Sequence, residues 1–220
     1  MKEPASEFRF ESRVPVMLAM LVTFFFLMML PARIRMFPLW IVCFLGMIVI
    51  VPIAGVGLSS AKARWLRMER RAILLFFAVC SVGIIANLAN LINAMLWRSR
   101  EITGLQLLAS SIAVWITNIL MFSLLYWEID RGGPEPRANK AWKKPDWLFP
   151  QEEAQENVPA GWRPTFVDYL FMGFTTATAF SPTEAVPLTP RAKLLMMLES
   201  TISLITLVMV GARAINILGT

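Results

Sequence analysis

The residues best suited to chemistry lie near the C-terminal end, in the stretch FTTATAFSPTE at residues 174–184. It carries Thr175, Thr176, Thr178, Ser181 and Thr183 and closes on Glu184. A helix ending here would present unpaired carbonyls and the negative end of its macrodipole. Hydroxyl oxygens beside those carbonyls form a set of hard oxygens that suits a cation shedding its water, and Glu184 would raise the local cation concentration. The same hydroxyls can instead bond back to their own helix and only pack it.

The element that must position this cluster is the apolar run 166–180, delimited by Pro164, where a helix can begin, and Pro182, which would stop one. A helix of that length reaches about 22 Å, short of a hydrocarbon layer of about 30 Å. It therefore reads as a re-entrant half-helix. Non-helical backbone at membrane depth is tolerated only where protein buries it or it lines a wet cavity. The expected ion-pathway residues are Thr175, Thr176, Thr178, Ala179, Phe180, Ser181, Thr183 and Glu184.

Around it the chain is apolar. Of 220 residues 57% are hydrophobic and 16% charged, with a mean hydropathy of +0.60, against about 25% charged in soluble domains. Five stretches, 14–30, 36–58, 72–97, 102–127 and 192–218, have the length a spanning helix needs, and the first four hold no Asp, Glu, Lys or Arg. Continuous apolar runs exclude barrel strands. The expected fold is an all-α membrane protein with five transmembrane helices and the half-helix between helices 4 and 5. The first segment reads as a retained anchor. The polar stretch 128–163, with its turn-forming run DRGGPEPR, reads as a surface loop.

The net charge is +6, but the basic residues cluster at segment ends, so membrane lipid headgroups rather than nucleic acid are the expected partner. Trp40, Trp65, Trp97, Trp127, Trp147 and Trp162 lie near segment ends, where indoles favour the interface; Trp115 falls at mid-depth. Lys62, Arg64, Arg67, Arg70 and Arg71 favour the cytoplasmic side for the link 59–71. Either the half-helix then enters from the cytoplasm, or the charge rule fails for this chain, or one segment does not span. Cys43 and Cys80 sit inside apolar segments as packing residues.

Histidine is absent, which removes the usual general base and a principal metal ligand. No catalytic set, cofactor motif or metal-ligand set stands out, and an enzyme is not expected. Glu199, inside the last apolar segment, is a candidate by virtue of its depth, either facing a cavity or making a structural hydrogen bond behind the half-helix. Asn87, Asn90 and Asn93 form a polar stripe expected to pack against Thr117 and Asn118.

The stretch GFTTATAFSPTEAVPLTPRAKLLMMLE, residues 173–199, resembles the pore helix, filter and inner-helix start of tetrameric potassium channels. Phe174, Thr176, Thr178, Val186, Pro187, Thr189, Pro190, Ala192, Leu195, Leu198 and Glu199 match that pattern, and Ala212 and Arg213 resemble its inner-helix end. The resemblance implies residues 102–220 as a pore-domain-like region: outer helix 102–127, polar loop 128–163, half-helix and filter-like loop 164–190, inner helix 191–218. Residues 1–101 form a three-helix region before it. It further implies a homotetramer passing inorganic cations, with Glu199 and Arg213 in supporting roles. Both filter glycines are replaced, at Ser181 and Thr183, so potassium selectivity is not implied. A cytoplasmic entry would be opposite to that of ordinary potassium channels. The alternative is a non-conducting scaffold or partner subunit that keeps the fold. The whole chain also resembles uncharacterised bacterial membrane proteins, which implies the bacterial inner membrane.

Overall fold

The computed structural model describes residues 13–31, 35, 37–58, 62–97, 104–138, 144–154, 156–159, 161–178 and 185–218. Among these the fold is all-α apart from one pair of two-residue strands. The long helices are α1 (Val14–Met29), α2 (Leu39–Leu58), α3 (Lys62–Trp97), α4 (Gly104–Ile129) and α8 (Pro190–Leu218). Between α4 and α8 come a 3-10 turn (Asp130–Gly132), the short helices α5 (Pro134–Ala138) and α6 (Pro150–Glu153), and α7 (Phe166–Thr178). Strands β1 (Trp147–Leu148) and β2 (Val186–Pro187) pair antiparallel, Trp147 opposite Pro187 and Leu148 opposite Val186.

Among the described residues three stretches are long and apolar enough to cross a membrane: Arg70–Asn93 in α3, Gly104–Gly132 through α4 and its turn, and Pro190–Ala212 in α8. They mark the chain as a membrane protein. Five such helices were expected. The 16 residues of α1 reach only about 24 Å, because Leu30, at φ −63° and ψ 130°, leaves the helix as a residue before proline tends to. Several side chains of α2 lie outside the described residues. The basic link also differs from expectation: from Lys62 onward it is the first part of α3, a continuous 36-residue helix, since KARWLRMERRA holds strong helix formers and no breaker.

Helix α4 is the hub, packing against α1, α3, α7 and α8. Its apolar stretch is 72% buried, against 28% for that of α8. The N-terminal half is held by apolar contact, with the rings of Phe24 and Phe76 5.2 Å apart and the bare Cα of Gly46 admitting Phe24, whose ring lies 3.0 Å from where a Cβ would stand. Large apolar side chains face outward on α1, α3 and α8, among them Leu18, Phe25, Val82, Leu194, Leu204 and Val208, an arrangement that water penalises and lipid does not. Cys80 is buried, Cys43 is exposed, and both are free.

Two expectations are corrected. Trp127 and Trp147 are fully buried rather than at an interface: Trp147 packs 4.8 Å from Tyr126 and donates from Nε1 to the Met196 sulfur at 3.3 Å. The stretch 128–163 is not simply a surface loop, because Glu128, Asp130, Arg131, Arg137 and Asp146 are all buried.

Candidate functional site

The short helix α7 has its own start signal. Asp168 Oδ2 accepts both the Thr165 backbone N–H at 2.7 Å and the Thr165 hydroxyl at 2.8 Å, a capping-box arrangement that satisfies donors the helix cannot. From there 13 residues run about 20 Å in the cleft between α4 and α8. Gly173 makes the close approach possible: a Cβ there would stand 2.3 Å from Ser123 Oγ, 3.3 Å from Glu199 Oε1 and 3.4 Å from the Ile119 carbonyl. Further along, Ser200 Oγ donates to the Thr176 carbonyl at 3.2 Å. Ser200 is about 15 Å into α8, whose apolar stretch of 23 residues runs about 34 Å, so α7 reaches nearly the middle of that stretch.

Both ends of the 166–188 segment are tied to one polar cluster, the mouth. On the entry side, Tyr169 Oη donates to Asp130 Oδ2 at 2.5 Å, and Phe166 packs edge-on to Trp127 at 6.2 Å. On the return side, Leu188 N–H donates to the Asp146 carbonyl at 2.8 Å. Thr189 Oγ1 and Arg191 Nε each donate to Asp146 Oδ1 at 2.6 Å, and Arg191 Nη2 reaches Asp146 Oδ2. Asp146 N–H in turn donates to Asp130 Oδ1 at 2.8 Å, so the two aspartates bind entry and return together.

Arg131 is matched by two carboxylates. Arg131 Nε lies 3.2 Å from Asp130 Oδ2, and its Nη2 lies 2.6 Å from Glu152 Oε2. Arg131 is the one non-glycine with positive φ among the described residues, at 57°; with Gly132 and Gly133 it turns the chain off α4. Arg137 donates from Nη1 to the Trp127 carbonyl at 3.0 Å and stands 4.9 Å over the Tyr169 ring. Burial pushes the Tyr169 hydroxyl well above its ordinary range, with the Arg137 cation acting the other way. It therefore remains the donor to Asp130 at neutral pH. Arg70, where the apolar stretch of α3 begins, donates to the Gly132 carbonyl at 2.9 Å. The basic start of α3 and the mouth thus share one end of the molecule.

About a third of the way along α8, at Glu199, the pattern is different. Glu199 is wholly buried and its Oε2 accepts Tyr126 Oη at 2.6 Å, while its Oε1 has no hydrogen-bond partner. Asn118 uses its amide donors on the Glu199 carbonyl at 3.1 Å and Ser203 Oγ at 2.9 Å, leaving its Oδ1 without one. Thr176 Oγ1 is buried without a partner too, as is Thr117 Oγ1 on α4, whereas Thr23, Thr201 and Thr206 bond back to the carbonyls of Ala19, Met197 and Ile202. A buried group left unmatched in this way costs about 1–3 kcal/mol. Among the described residues no group of three His, Cys, Asp or Glu is placed to hold a metal ion.

Of the candidate residues, Thr175, Thr176, Thr178 and Glu199 are described, and all lie at this junction or at the end of α7. Thr175 Oγ1 bonds back to the Phe171 and Met172 carbonyls, both at 3.0 Å, and Thr178 Oγ1 to those of Phe174 and Thr175 at 3.0 and 3.2 Å. Ala179, Phe180, Ser181, Thr183 and Glu184 lie outside the described residues, and so does the side chain of Arg213. Of the residues expected beside the asparagine stripe, Asn118 turns its donors to α8 and Thr117 Oγ1 has no hydrogen-bond partner, while Asn93 of the stripe is exposed. No protein-family model, curated protein or solved structure matches this chain. The reading of the site therefore stands on its geometry. Sequence reading missed the mouth altogether, though Asp130, Arg131, Arg137, Asp146 and Arg191 are dense charge in an apolar chain, and such charge is rarely buried unless paired.

Proposed function

We propose that this chain is a pore-loop membrane protein, in which α7 enters the lipid layer and turns back to set its oxygen-rich end on a cation pathway shared between copies. One observation carries the reading. The 166–188 segment leaves from Asp130 and returns to Asp146, two residues joined by a hydrogen bond, while α7 reaches nearly the middle of the apolar stretches of α4 and α8. A segment anchored at one end of two long apolar helices and reaching nearly the middle of their apolar stretches is re-entrant with respect to a bilayer containing them.

The remaining parts of the proposal follow from that geometry and from the channel resemblance. Helices α4, α7 and α8 take the places of outer helix, pore helix and inner helix, with α1 and α2 as further membrane segments beside α3, five transmembrane helices in all. One half-helix per chain cannot enclose an axis, so a homotetramer is required. The thinly covered α8, with Leu194, Met197, Leu204 and Val208 exposed, supplies the face for other copies. Thr175, Thr176, Thr178, Ala179, Phe180, Ser181, Thr183 and Glu184 line the pathway, which is not potassium-selective. The resemblance to bacterial membrane proteins favours the inner membrane, and Arg70 beside Gly132 favours a cytoplasmic mouth.

A second reading, a non-conducting scaffold or partner subunit, is favoured by the back-bonding of Thr175 and Thr178, whose hydroxyls are spent on their own helix. Purified full-length protein in sealed liposomes separates the two. A conducting oligomer gives cation flux that Glu184→Gln and Thr178→Ala reduce; no flux of monovalent or divalent cations, or a monomer or dimer in a native-like bilayer, retires the channel reading.

A further inference from the structure

The junction of α4, α7 and α8 is built like a ligand site rather than a packed seam. Asn118 and Glu199 are completely buried and Thr176 nearly so, and each ends in an oxygen with no partner: Asn118 Oδ1, Thr176 Oγ1 and Glu199 Oε1. Contacts already described place the three residues at one junction. Asn118 holds the Glu199 carbonyl, Glu199 Oε1 and Ser123 Oγ both border the bare Cα of Gly173, and Ser200, next to Glu199, holds the Thr176 carbonyl.

Buried oxygens left over in one place are met by a bound species. Three donors nearby are engaged: Tyr126 Oη on Glu199 Oε2, Asn118 Nδ2 on α8, and Ser123 Oγ on the Ile119 carbonyl at 2.7 Å. The Thr176 hydroxyl can donate to one of the two remaining acceptors, Asn118 Oδ1 or Glu199 Oε1, and the other still lacks a positive partner. Carboxylate, amide and hydroxyl oxygens are hard ligands that suit alkali and alkaline-earth cations. Charge decides between these, because Glu199 is the single carboxylate at the junction. One positive charge neutralises it, whereas a divalent ion would leave a net buried charge.

We propose that Glu199 Oε1, Asn118 Oδ1 and Thr176 Oγ1 form an intramembrane binding site for a monovalent alkali cation behind α7, where Thr176 also borders the pathway at the end of that helix. A bound ion would pin α7 to α4 and α8. The site does not require that the oligomer conduct.

The test is thermal unfolding of the full-length protein in detergent or nanodiscs, in LiCl, NaCl, KCl or RbCl against choline chloride at equal ionic strength. A ligand binding only the folded state at about a hundred times its Kd raises Tm by about 5–10 °C in a chain of this size. We expect such a rise with at least one alkali chloride. Glu199→Gln should abolish it, Thr176→Val should move its midpoint about tenfold higher, and Thr178→Ala should leave it intact. Equal Tm values in all five salts overturn the site, as expected if Glu199 carries a proton or water fills the junction. So does a shift that survives Glu199→Gln, or one that Thr178→Ala removes. If Glu199→Gln does not fold, an unchanged midpoint in Thr176→Val is decisive against the site. Loss of liposome flux with the shift retained would sink the channel reading and leave this site standing.

Discussion

Two buried polar regions lie along α7, and they differ in how their acids are met. At the mouth, Asp130, Asp146, Arg131 and Arg191 meet opposite charges or hydrogen-bonding groups at short range. At the inner junction, Glu199 faces no cation that would match it, and three oxygens stand unmatched. A closed network fixes geometry, and removing one member leaves the others as uncompensated buried charge. An open one keeps capacity for something else. The mouth thus reads as the part that fixes the fold, and the junction as the part that can respond to its surroundings.

The largest effect that would test this contrast comes from Asp130→Ala. It deprives Tyr169, Arg131 and the Asp146 N–H of their shared acceptor, and we expect a loss of about 3–5 kcal/mol in thermal or denaturant unfolding; a loss near zero would mean the mouth is not the fixing element. Next is Gly173→Ala. Its methyl would stand 2.3 Å from Ser123 Oγ, and overpacking of this kind costs about 1–3 kcal/mol. Ser123→Ala in the same chain should recover part of that loss. Tyr126→Phe strips Glu199 of its one hydroxyl donor for about 1–2 kcal/mol, measured the same way. Smallest is Arg70→Ala, since that side chain is half exposed, and we expect a change within about 1 kcal/mol.

The sequence makes the apolar helices legible because hydropathy and length determine them residue by residue. The run 72–97 and the end of α7 near Pro182 could be read directly, as could the start of α7 after Pro164, though not the Thr165–Asp168 cap that fixes it. The mouth was not legible, because its pairs join residues far apart in the chain: Asp130 with Tyr169, and Asp146 with Arg191. Local composition there reads as a solvated loop, and tertiary pairing turns it into buried structure. The α8 partners of Asn118 were not legible for a related reason. Helical spacing places Asn118 on a face of α4, but α4 packs on four other helices, and spacing alone does not choose among them. Glu199 was visible as an acid at depth; its open oxygen depends on Gly173, whose missing side chain lets α7 lie against Ser123.

The most direct test of the re-entrant path of α7 is the sidedness of its two flanks. In a full-length Cys43→Ser, Cys80→Ala background, Asn157→Cys before α7 and Leu188→Cys after it both place thiols at exposed positions. Each is treated with a membrane-impermeant maleimide in sealed vesicles of known orientation. A segment that enters and returns makes both thiols react from the same side. Reaction from opposite sides means that residues 166–188 cross the bilayer, and the cation pathway built on their return is then wrong.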